Sequence, residues 1–346
     1  MAVSKSFAAR LVAWQKKHGR HGLPWQGTRD AYAIWLSEIM LQQTQVAAVI
    51  PYYQRFLKKF PTVKKLAAAP LDDVLTLWAG LGYYSRARNL HRAAGLVATT
   101  HGGVFPSAFD DVMALPGVGR STAAAICVFA FSARHAILDG NVKRVLARHR
   151  GVRGFPGEAK VFDTLWQHAE AALPRKDIES YTQGLMDLGA DICARREPRC
   201  AECPVNGDCV AHARGLTAEI PQARPARVLP HRKTTMLVLQ HAGEVLLVKR
   251  PPTGIWGGLW SLPEIGDADD VNSICLRRFG AHVSGVTQLP VVEHGFTHFK
   301  LSITPQRVRV AKLAPHAGEP GTMWLALIDA RGAAVPAPVR NILVNI

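Results

Sequence analysis

Glu38 is the first residue whose surroundings suggest chemistry. It lies in the apolar segment 34–41, where a carboxylate would lose hydration and its pKa would rise. A carboxyl group with a raised pKa can act as a general acid near neutral pH. The same residue would be ordinary on the solvent-facing stripe of an amphipathic helix. The sequence supports both interpretations.

A second acidic residue, Asp139, follows a glycine-containing turn and an apolar segment. Gly117 and Gly119 allow the turn at 115–119 to approach a ligand closely, and Ser121 and Thr122 then favour the start of a helix. Backbone N–H groups at a helix start suit one phosphate. A corner between two helices without any ligand explains the same residues. Likewise, Asp139 could simply cap the helix that begins after it.

Two further segments carry side chains that suit nucleic acid. Gln42, Gln43 and Thr44 directly follow the Glu38 segment, and their amides and hydroxyl match the polar edges of bases. Residues 80–89 contain two glycines, two tyrosines and two arginines. Aromatic rings can stack on bases and guanidinium groups can hold phosphates. A tyrosine pair is also common in a hydrophobic core, so this second segment is a weak signal alone.

Four cysteines are spaced as a single metal-binding loop. Cys193, Cys200, Cys203 and Cys209 form the pattern C-x6-C-x2-C-x5-C. Zinc sites usually combine two separated C-x2-C pairs, whereas the four irons of a cubane cluster each need one thiolate. The uneven spacing therefore favours an iron–sulfur cluster over zinc, and both over disulfides, which are rare in reducing compartments. The other two cysteines lie in apolar surroundings and are predicted to be core residues.

Charge points to a polyanionic partner. The 346 residues carry a formal net charge of +16, and residues 1–100 hold 14 Lys and Arg against four acidic residues. Such a bias favours nucleic acid, although a basic protein without that function remains an alternative.

No apolar run approaches the roughly 20 residues that span a bilayer, and the first residues have no apolar signal-peptide core. Residues 1–29 lack acids, as in a transit peptide, yet Phe7, Leu11 and Trp14 have the spacing of a packed amphipathic helix. We expect an intracellular protein without membrane association.

The elements that must position these residues fall into two classes. Residues 4–215 have helical patterns, including one helix predicted at 32–49 that carries Glu38. A basic, proline-containing linker is predicted at 216–233. Beyond it, the sequence predicts an α+β domain. Its elements would be strands at 235–239 and 244–248 around a turn, further strands at 288–293 and 298–310, and a helix at 269–279.

Taken in chain order, these motifs carry a family resemblance. They are Ser37-Glu38-Ile39-Met40-Leu41-Gln42-Gln43-Thr44-Gln45, Gly82-Tyr83-Tyr84, Leu115-Pro116-Gly117-Val118-Gly119, Leu138-Asp139-Gly140-Asn141-Val142 and the cysteine loop. The chain resembles an adenine DNA glycosylase of the MutY type, in the helix-hairpin-helix superfamily, over essentially its whole length. The resemblance implies a multidomain protein with an all-α helix-hairpin-helix glycosylase, comprising a six-helix barrel and a [4Fe-4S] helical lobe, followed by an α+β Nudix-like domain. The implied boundaries are 1–22 with 135–215 for the iron–sulfur lobe, 23–134 for the barrel, 216–233 for the linker, and 234–346 for an 8-oxoguanine recognition domain.

The resemblance also implies a reaction, base excision repair in which adenine mispaired with 8-oxoguanine or guanine is flipped from duplex DNA and released. Glu38 would protonate adenine N7, and Asp139 would stabilise an oxocarbenium-like sugar, as paired carboxylates do in glycosidases. Asn141 would help to position water and Glu38. Trp25, Gln26 and Gln183 stand at positions that contact the flipped adenine in the family.

The remaining implied roles concern DNA and the cofactor. Gln42 and Thr44 would contact DNA, while Gln43 and Tyr83 would fill the gap and probe the opposite base. The resemblance assigns a phosphate to the backbone amides of Gly117, Val118 and Gly119, the 8-oxoguanine contact to Phe296, Thr297 and His298, and a [4Fe-4S] cluster to Cys193, Cys200, Cys203 and Cys209. A monomer in the cytoplasm, associated with the nucleoid, is expected.

Two departures from related families bear on the activity. Ser121 stands where glycosylases that also cut the DNA backbone carry a lysine, so weak or absent lyase activity is expected. Residues 271–279 lack the carboxylates with which a Nudix helix binds Mg²⁺, so nucleotide hydrolysis is not expected. The alternatives are an endonuclease III-type bifunctional glycosylase and lyase, a non-catalytic iron–sulfur protein that binds DNA or senses redox state, and a Nudix hydrolase with a DNA-binding arm.

Overall fold

The computed structural model describes residues 6–225, 228–266, 269–314 and 319–346. The chain divides into two compact units, each built from two separate segments. One unit comprises Met1–Ala68 and Asn89–Ala226, and the other comprises Ala69–Arg88 and Arg227–Ile346. Residues 69–88 thus pack with the C-terminal segment. The range 23–134 that the resemblance implied for the barrel stays a prediction.

The first unit is helical throughout its described residues. Its helices are α1 (Phe7–His18), α2 (Ala31–Leu41), α3 (Val46–Lys59), α4 (Val63–Ala68), most of α6 (Ser85–Thr100), α7 (Phe109–Met113), α8 (Arg120–Phe131), α9 (Gly140–Arg150), α10 (Ala159–Ala171), α11 (Ile178–Asp187) and α12 (Val210–Ala213). A π-helical turn, Leu188–Ile192, continues α11, and two short 3-10 turns, Cys200–Glu202 and Asn206–Asp208, lie in the cysteine loop.

The predicted amphipathic helix at the start of the chain is α1. Its N-cap is Ser6, whose hydroxyl accepts a hydrogen bond from the Ala9 amide at 3.3 Å. Phe7 and Leu11 are buried in a core that includes Val142, and α1 packs against α11. Burial of this apolar face supplies most of the helix's stability, because an isolated helix of this length is marginal in water.

The helix predicted at 32–49 is wrong in its extent. The structure ends α2 at Leu41 and begins α3 at Val46, so the polar segment 42–45 lies in a break between them. Gln43 has a φ of 57°, in the left-handed region that cannot continue a right-handed helix. The Gln42 amide donates to the Gly117 carbonyl at 3.3 Å and to Thr122 Oγ1 at 3.4 Å. These bonds tie the break to the start of α8.

The turn between α7 and α8 forms the helix-hairpin-helix corner. Gly117 has a φ of +82°, and a Cβ there would lie 2.9 Å from Asn89 Cβ, so glycine is required on both conformational and steric grounds. Ser121 lies in the first turn of α8, as the sequence predicts, and the N-cap is Gly119, with no side-chain hydrogen bond at the cap. The first amides of α8 are therefore left without a side-chain partner at the cap.

The second unit contains an eight-stranded sheet within its described residues. Its elements are α5 (Leu71–Trp78), β1 (His231–His241), β2 (Glu244–Lys249), β3 (Trp260–Ser261), β4 (Glu264–Ile265), α13 (Val271–Phe279), β5 (Ala281–Gln288), β6 (Val292–Gly295), β7 (Lys300–Leu313), β8 (Thr322–Ala326), α14 (Leu327–Gly332) and α15 (Ala337–Val344). The strand order is β3-β2-β1-β7-β5, with β4 on β1, β6 on β7 and β8 on β2. Strands β1 and β7 are parallel, and the other pairs are antiparallel.

Local signals account for much of this sheet. The hairpin of β1 and β2 pairs Gln240 with Val245 across a turn in which Ala242 and Gly243 have φ values of 48° and 84°, as the tightest hairpin turns require. Helix α13 matches the predicted helix, with the Asp270 carboxylate accepting from the Ser273 amide at 2.8 Å. Strand β5 was not predicted, because alternating exposed polar residues obscure its buried side.

Several polar contacts join the 69–88 segment to the rest of its unit, including one from the Tyr84 hydroxyl to the Val335 carbonyl at 3.5 Å. Arg88 Nη1 donates to the Gly257 carbonyl at 2.6 Å, and Asp72 forms an ion pair with Lys249. These contacts explain why a segment distant in sequence packs with the C-terminal sheet. No helix in the described part of the chain is long and apolar enough to cross a bilayer.

Candidate active site

A cavity of about 710 Å³ opens in the helical unit. Trp25, Gln26, Glu38 and Gln183 all line it, so four of the predicted adenine-contacting and catalytic residues share one space. Its wall combines apolar side chains such as Phe129 with a few polar groups. That composition is typical of small-molecule sites that orient a ligand through a small number of hydrogen bonds.

The carboxyl of Glu38 is the strongest candidate acid in this cavity. Helix α2 is buried on nearly every side, and its N-cap Asp30 accepts from the Tyr32 amide at 2.9 Å. Burial, and secondly the negative charge of Asp139, raise the pKa of Glu38 to about 8. Glu38 therefore holds a proton at neutral pH and can donate it.

Asp139 lies near enough to Glu38 for their charges to interact, although it does not line the cavity itself. It is also the N-cap of α9 and accepts from the Val142 amide at 2.7 Å. Burial raises the pKa of Asp139, while hydrogen bonds from the Val142 and Asn141 amides and the charges of Arg144 and Lys143 oppose that rise. The capping and the functional interpretations of Asp139 are thus compatible.

Two neighbours fix the backbone around Asp139. The Leu138 amide donates to Ser121 Oγ at 2.9 Å, which ties the residue before Asp139 to α8. Arg144 Nη2 donates to Asn141 Oδ1 at 2.9 Å and to the Gly189 carbonyl at 2.6 Å. A Cβ at Gly189 would lie 2.6 Å from Asn141 Cβ, so only glycine permits this approach.

Other predicted wall residues are held by local contacts. The Trp25 ring packs edge-on against Tyr53, with centroids 5.3 Å apart. Gln26 accepts from the Leu23 amide at 3.0 Å and donates to the Arg20 carbonyl at 3.1 Å. Both side chains are therefore oriented before any ligand enters.

The residues proposed to meet DNA lie at turns in the helical unit. Gln43 is exposed in the break between α2 and α3, whereas Gln42 is partly buried against the hairpin, and Thr44 Oγ1 donates to the Gln42 carbonyl at 3.4 Å. Gly117, Val118 and Gly119 form the hairpin corner. Each turn presents backbone or amide groups rather than an apolar surface.

Tyr83 and the predicted 8-oxoguanine loop both lie in the sheet unit. Tyr83 is 45% exposed with a φ of 49°, and the Arg86 guanidinium lies 5.4 Å from its ring centroid. Phe296 stacks on Phe299 with centroids 4.3 Å apart, which leaves Thr297 and His298 exposed beside it. Both features present polar and aromatic groups to solvent at turns.

The four predicted cysteine ligands line one small cavity in the helical unit, together with Arg148 and Asn206. Arg148 Nη1 lies 3.4 Å from Cys193 Sγ and donates to the Ala194 carbonyl at 2.7 Å. Burial raises the pKa of Cys203 to about 11, and the facing thiols of the other three cysteines add to that rise. The four sulfurs therefore surround a common space.

Comparison with known proteins identifies the family. The description "HhH-GPD superfamily base excision DNA repair protein" matches residues 36–171, and a NUDIX domain matches residues 234–345. An adenine DNA glycosylase from Buchnera aphidicola subsp. Acyrthosiphon pisum (strain APS) is 35% identical over 98% of this chain and 97% of its own length. The chain belongs to the adenine DNA glycosylase family.

More distant similarities agree with this assignment. The adenine DNA glycosylase of Rattus norvegicus is 32% identical, over 97% of this chain and 77% of its own. A thermostable thymine-DNA glycosylase of known structure superimposes with a TM-score of 0.55 and 29% identity, over 60% of this chain and 95% of that chain. The predicted combination of a helical glycosylase and a Nudix-like α+β domain is confirmed. This adenine DNA glycosylase family member is an enzyme that cleaves N-glycosidic bonds and binds DNA in base excision repair.

Sequence reasoning missed Arg20, which lines the glycosylase cavity, and Asp187, which lies behind the cavity-lining Gln183. Asp187 is fully buried, and its carboxylate accepts from the Arg20 side chain and backbone and from Gln183 Nε2. The signal was available, because Asp187 follows the apolar residues Leu185 and Met186 just as Glu38 follows an apolar run. Arg20 offered no comparable signal in its basic, glycine-containing surroundings.

Proposed function

We propose that this chain removes adenine paired with 8-oxoguanine or guanine from duplex DNA, with Glu38 as the acid and Asp139 as the stabilising carboxylate. The observation that carries the proposal is that Glu38 lines a cavity of about 710 Å³ together with Trp25, Gln26 and Gln183. Burial there and the charge of Asp139 raise the pKa of Glu38 to about 8. An adenine in a stacked duplex cannot reach such a cavity, so the nucleotide must be flipped out.

The proposed reaction begins with proton transfer from Glu38 to adenine N7. The bond between the sugar C1′ and adenine N9 then breaks, and its electron pair leaves with the protonated base. The positive charge that develops on the sugar is stabilised by the carboxylate of Asp139, and water completes the hydrolysis at C1′. Opposite charges ~4 Å apart at an effective dielectric near 20 interact by roughly 4 kcal/mol, or about a thousandfold in rate.

Asn141 would hold the water and Glu38 in place. Its Oδ1 is engaged by Arg144 at 2.9 Å, which fixes the orientation of the amide. The Asn141 Nδ2 group is consequently the end left to donate to a carboxylate or to water.

DNA would be held mainly through the helix-hairpin-helix corner. The amides at 117–119 precede a helix whose N-cap carries no capping side chain, so one phosphate can accept their hydrogen bonds. In the adjoining break, exposed Gln43 would enter the gap that the flipped nucleotide leaves. Exposed Tyr83 would stack on the opposite base.

The 8-oxoguanine preference is assigned to the loop at Phe296, Thr297 and His298. Stacking of Phe296 on Phe299 braces this loop, and the exposed Thr297 hydroxyl lies 3.4 Å from His298 Nδ1. A hydroxyl both donates and accepts, so it can meet the modified edge of 8-oxoguanine. Thr297→Ala should therefore reduce the preference for 8-oxoguanine over guanine without abolishing adenine release.

Ser121 supports base release without strand cleavage. A lyase needs an amine to form a Schiff base with the sugar. Ser121 offers a hydroxyl, which already accepts the Leu138 amide hydrogen bond. We infer a monofunctional glycosylase with weak or absent lyase activity, acting as an intracellular monomer at the nucleoid.

We propose that Cys193, Cys200, Cys203 and Cys209, which line one cavity, hold a [4Fe-4S] cluster. In the described part of the chain, no three His, Cys, Asp or Glu side chains are close enough to hold a metal ion. The proposal is supported by the shared cavity and by the cysteine spacing. Bound there, the cluster would brace the loop 193–209. Iron and sulfide analysis of the purified protein would support this assignment, and stoichiometric zinc without iron would refute it.

One incubation tests the function. Duplexes with adenine opposite 8-oxoguanine, guanine, cytosine and thymine are incubated with the protein, with and without alkaline work-up. Adenine release opposite 8-oxoguanine and guanine, with strand breaks that need alkali, is expected. A further duplex that carries an oxidised pyrimidine tests the endonuclease III-type alternative, which its removal with alkali-independent cleavage would establish.

A further inference from the structure

We infer that Asp187 is a positioning residue that sets the base specificity of the cavity by orienting the amide of Gln183. This inference rests on the proposed function and deepens it. It concerns which edge of the flipped base the cavity wall can accept, which neither the family assignment nor the two-carboxylate chemistry determines.

The geometry around Asp187 is fully specified by hydrogen bonds. Its Oδ1 accepts from Arg20 Nε at 2.6 Å and from Gln183 Nε2 at 2.8 Å, while its Oδ2 accepts from the Arg20 amide at 2.9 Å. The Asp187 side chain is 0% exposed, so water does not compete for these positions. Buried networks of this kind hold their members in one arrangement.

The polarity of the network determines the orientation of Gln183. A carboxylate paired with an arginine accepts hydrogen bonds and donates none. The end of the Gln183 amide next to Asp187 must therefore be the NH₂ group, because the carbonyl oxygen would face a second acceptor. Gln183 lines the cavity. Its Oε1 is accordingly the end available to a ligand.

An acceptor fixed in the wall discriminates between purines by their 6-position. Adenine carries an exocyclic amino group there, which can donate to Oε1. Hypoxanthine carries a carbonyl oxygen, which would face another acceptor, and unsubstituted purine leaves Oε1 unpaired. A site built to pair a substrate N–H rejects analogues that lack it, because its own buried polar group is then left unsatisfied.

Single-turnover release of adenine, purine and hypoxanthine from duplexes opposite 8-oxoguanine tests the inference with the full-length chain. In Asp187→Asn, one carboxylate oxygen becomes an NH₂ group, which faces an Arg20 donor in either orientation of the amide, so the network that fixes Gln183 is weakened. We expect the ratio of the adenine rate to the purine rate to fall about tenfold, which corresponds to the loss of one hydrogen bond. The hypoxanthine rate should rise relative to the adenine rate.

A matched control is available in the same turn. Asp191 lies 3.8 Å from Arg20 Nε but is 47% exposed, and Gln183 donates to Asp187 instead. Asp191→Asn should leave the adenine-to-purine ratio as in the wild type. In a Gln183→Ala background, Asp187→Asn should cause no further change in that ratio. Equal losses for adenine and purine in Asp187→Asn would show a general structural role and overturn the inference.

Binding of the free bases gives a readout that does not depend on catalysis or on the folding of the Asp187 variant. Adenine should bind the wild-type cavity more tightly than hypoxanthine, as measured by equilibrium dialysis, and Gln183→Ala should remove that difference. Equal binding of both bases by the wild type would overturn the inference. Retained adenine preference in binding, without adenine release from any duplex, would count against the proposed function alone.

Discussion

Glu38 and Asp139 are two neighbouring carboxyl groups whose environments differ. Burial and the charge of Asp139 act on Glu38 in the same direction and raise its pKa to about 8. At Asp139, two backbone hydrogen bonds and the charges of Arg144 and Lys143 oppose the effect of burial. Burial raises the pKa of both carboxyl groups, but hydrogen bonds and positive charges oppose that rise at Asp139 alone. This difference favours the proton on Glu38 and the negative charge on Asp139, as acid-assisted glycoside cleavage needs.

The first prediction concerns the pH dependence of adenine release. Because only protonated Glu38 can donate, the single-turnover rate should fall about tenfold per pH unit above about pH 8. Asp139→Asn removes one cause of the raised pKa, so its residual activity should decline from a lower pH. DNA binding measured in parallel shows whether the loss is chemical. A flat profile up to pH 10 would contradict the assignment of Glu38.

The second prediction concerns stability. The pKa of Glu38 is about 8 in the folded protein and 4.5 as its ordinary value, so unfolding releases a proton between these pH values. Stability conferred by the protonated carboxyl is present below about pH 4.5 and is lost as pH rises toward 8. The Glu38→Gln variant keeps the shape of the side chain but has no carboxyl group to titrate. It should match the wild type at pH 4.5 and exceed it by up to a few kcal/mol at pH 9, measured by denaturant unfolding.

At the scale of elements, the helical unit depends on two interruptions of regular helix. The break between α2 and α3 presents Gln43, and the hairpin between α7 and α8 presents its backbone amides. Gln42 joins the two by donating to the Gly117 carbonyl. Each irregular segment is thus stabilised by the other, as functional loops on rigid elements often are.

The third prediction compares two glycines of the hairpin. Gly117→Ala places a Cβ 2.9 Å from Asn89 Cβ at a φ of +82°, and it should destabilise the protein by roughly 1–3 kcal/mol. Gly119→Ala is the matched control, because Gly119 has a φ of −97° and nothing lies within 4 Å of the position that a Cβ would take there. Thermal unfolding should separate the two variants. Equal melting temperatures would contradict the steric argument.

The sequence predicted the helices of the site better than the breaks and turns that connect them. Apolar periodicity located α1 and α13, and an acid among apolar residues located Glu38, since these signals are local. The break at 42–45 was missed because nothing in Gln42-Gln43-Thr44-Gln45 excludes a helix; the left-handed Gln43 is stabilised by contacts with a distant hairpin. Asp187 also follows apolar residues, but its role depends on Arg20, which lies far away in the sequence, so the local signal did not reveal it.

At the scale of the whole molecule, neither unit corresponds to a continuous piece of chain. Residues 69–88 leave the helical segment and pack with the sheet unit, where Arg88 reaches the Gly257 carbonyl and Asp72 pairs with Lys249. This segment carries Tyr83. The residue proposed to probe the opposite base is therefore anchored in the same unit as the loop proposed to recognise 8-oxoguanine.

The fourth prediction tests that anchor. Arg88→Ala removes a charged hydrogen bond of 2.6 Å and should lower stability by about 2 kcal/mol. Hydrogen exchange should quicken at 71–88 and around Gly257. Arg92→Ala is the control on the same helix, because Arg92 is exposed and its side chain donates only to nearby Asn89, at 3.3 Å, among its described hydrogen bonds. Unchanged exchange in Arg88→Ala would show that other contacts hold the segment.

The hydrogen bond from Leu138 to Ser121 constrains how this chain could acquire a strand-cutting activity. The serine oxygen serves as an acceptor, and a lysine ammonium has only donors. A lysine ammonium at that position would place a second donor against the Leu138 N–H. The hydrogen bond that holds the peptide before Asp139 would then be lost. Under the proposed mechanism, a lysine at position 121 would therefore loosen the carboxylate that is assigned to stabilise the sugar, unless another acceptor took over the Leu138 amide.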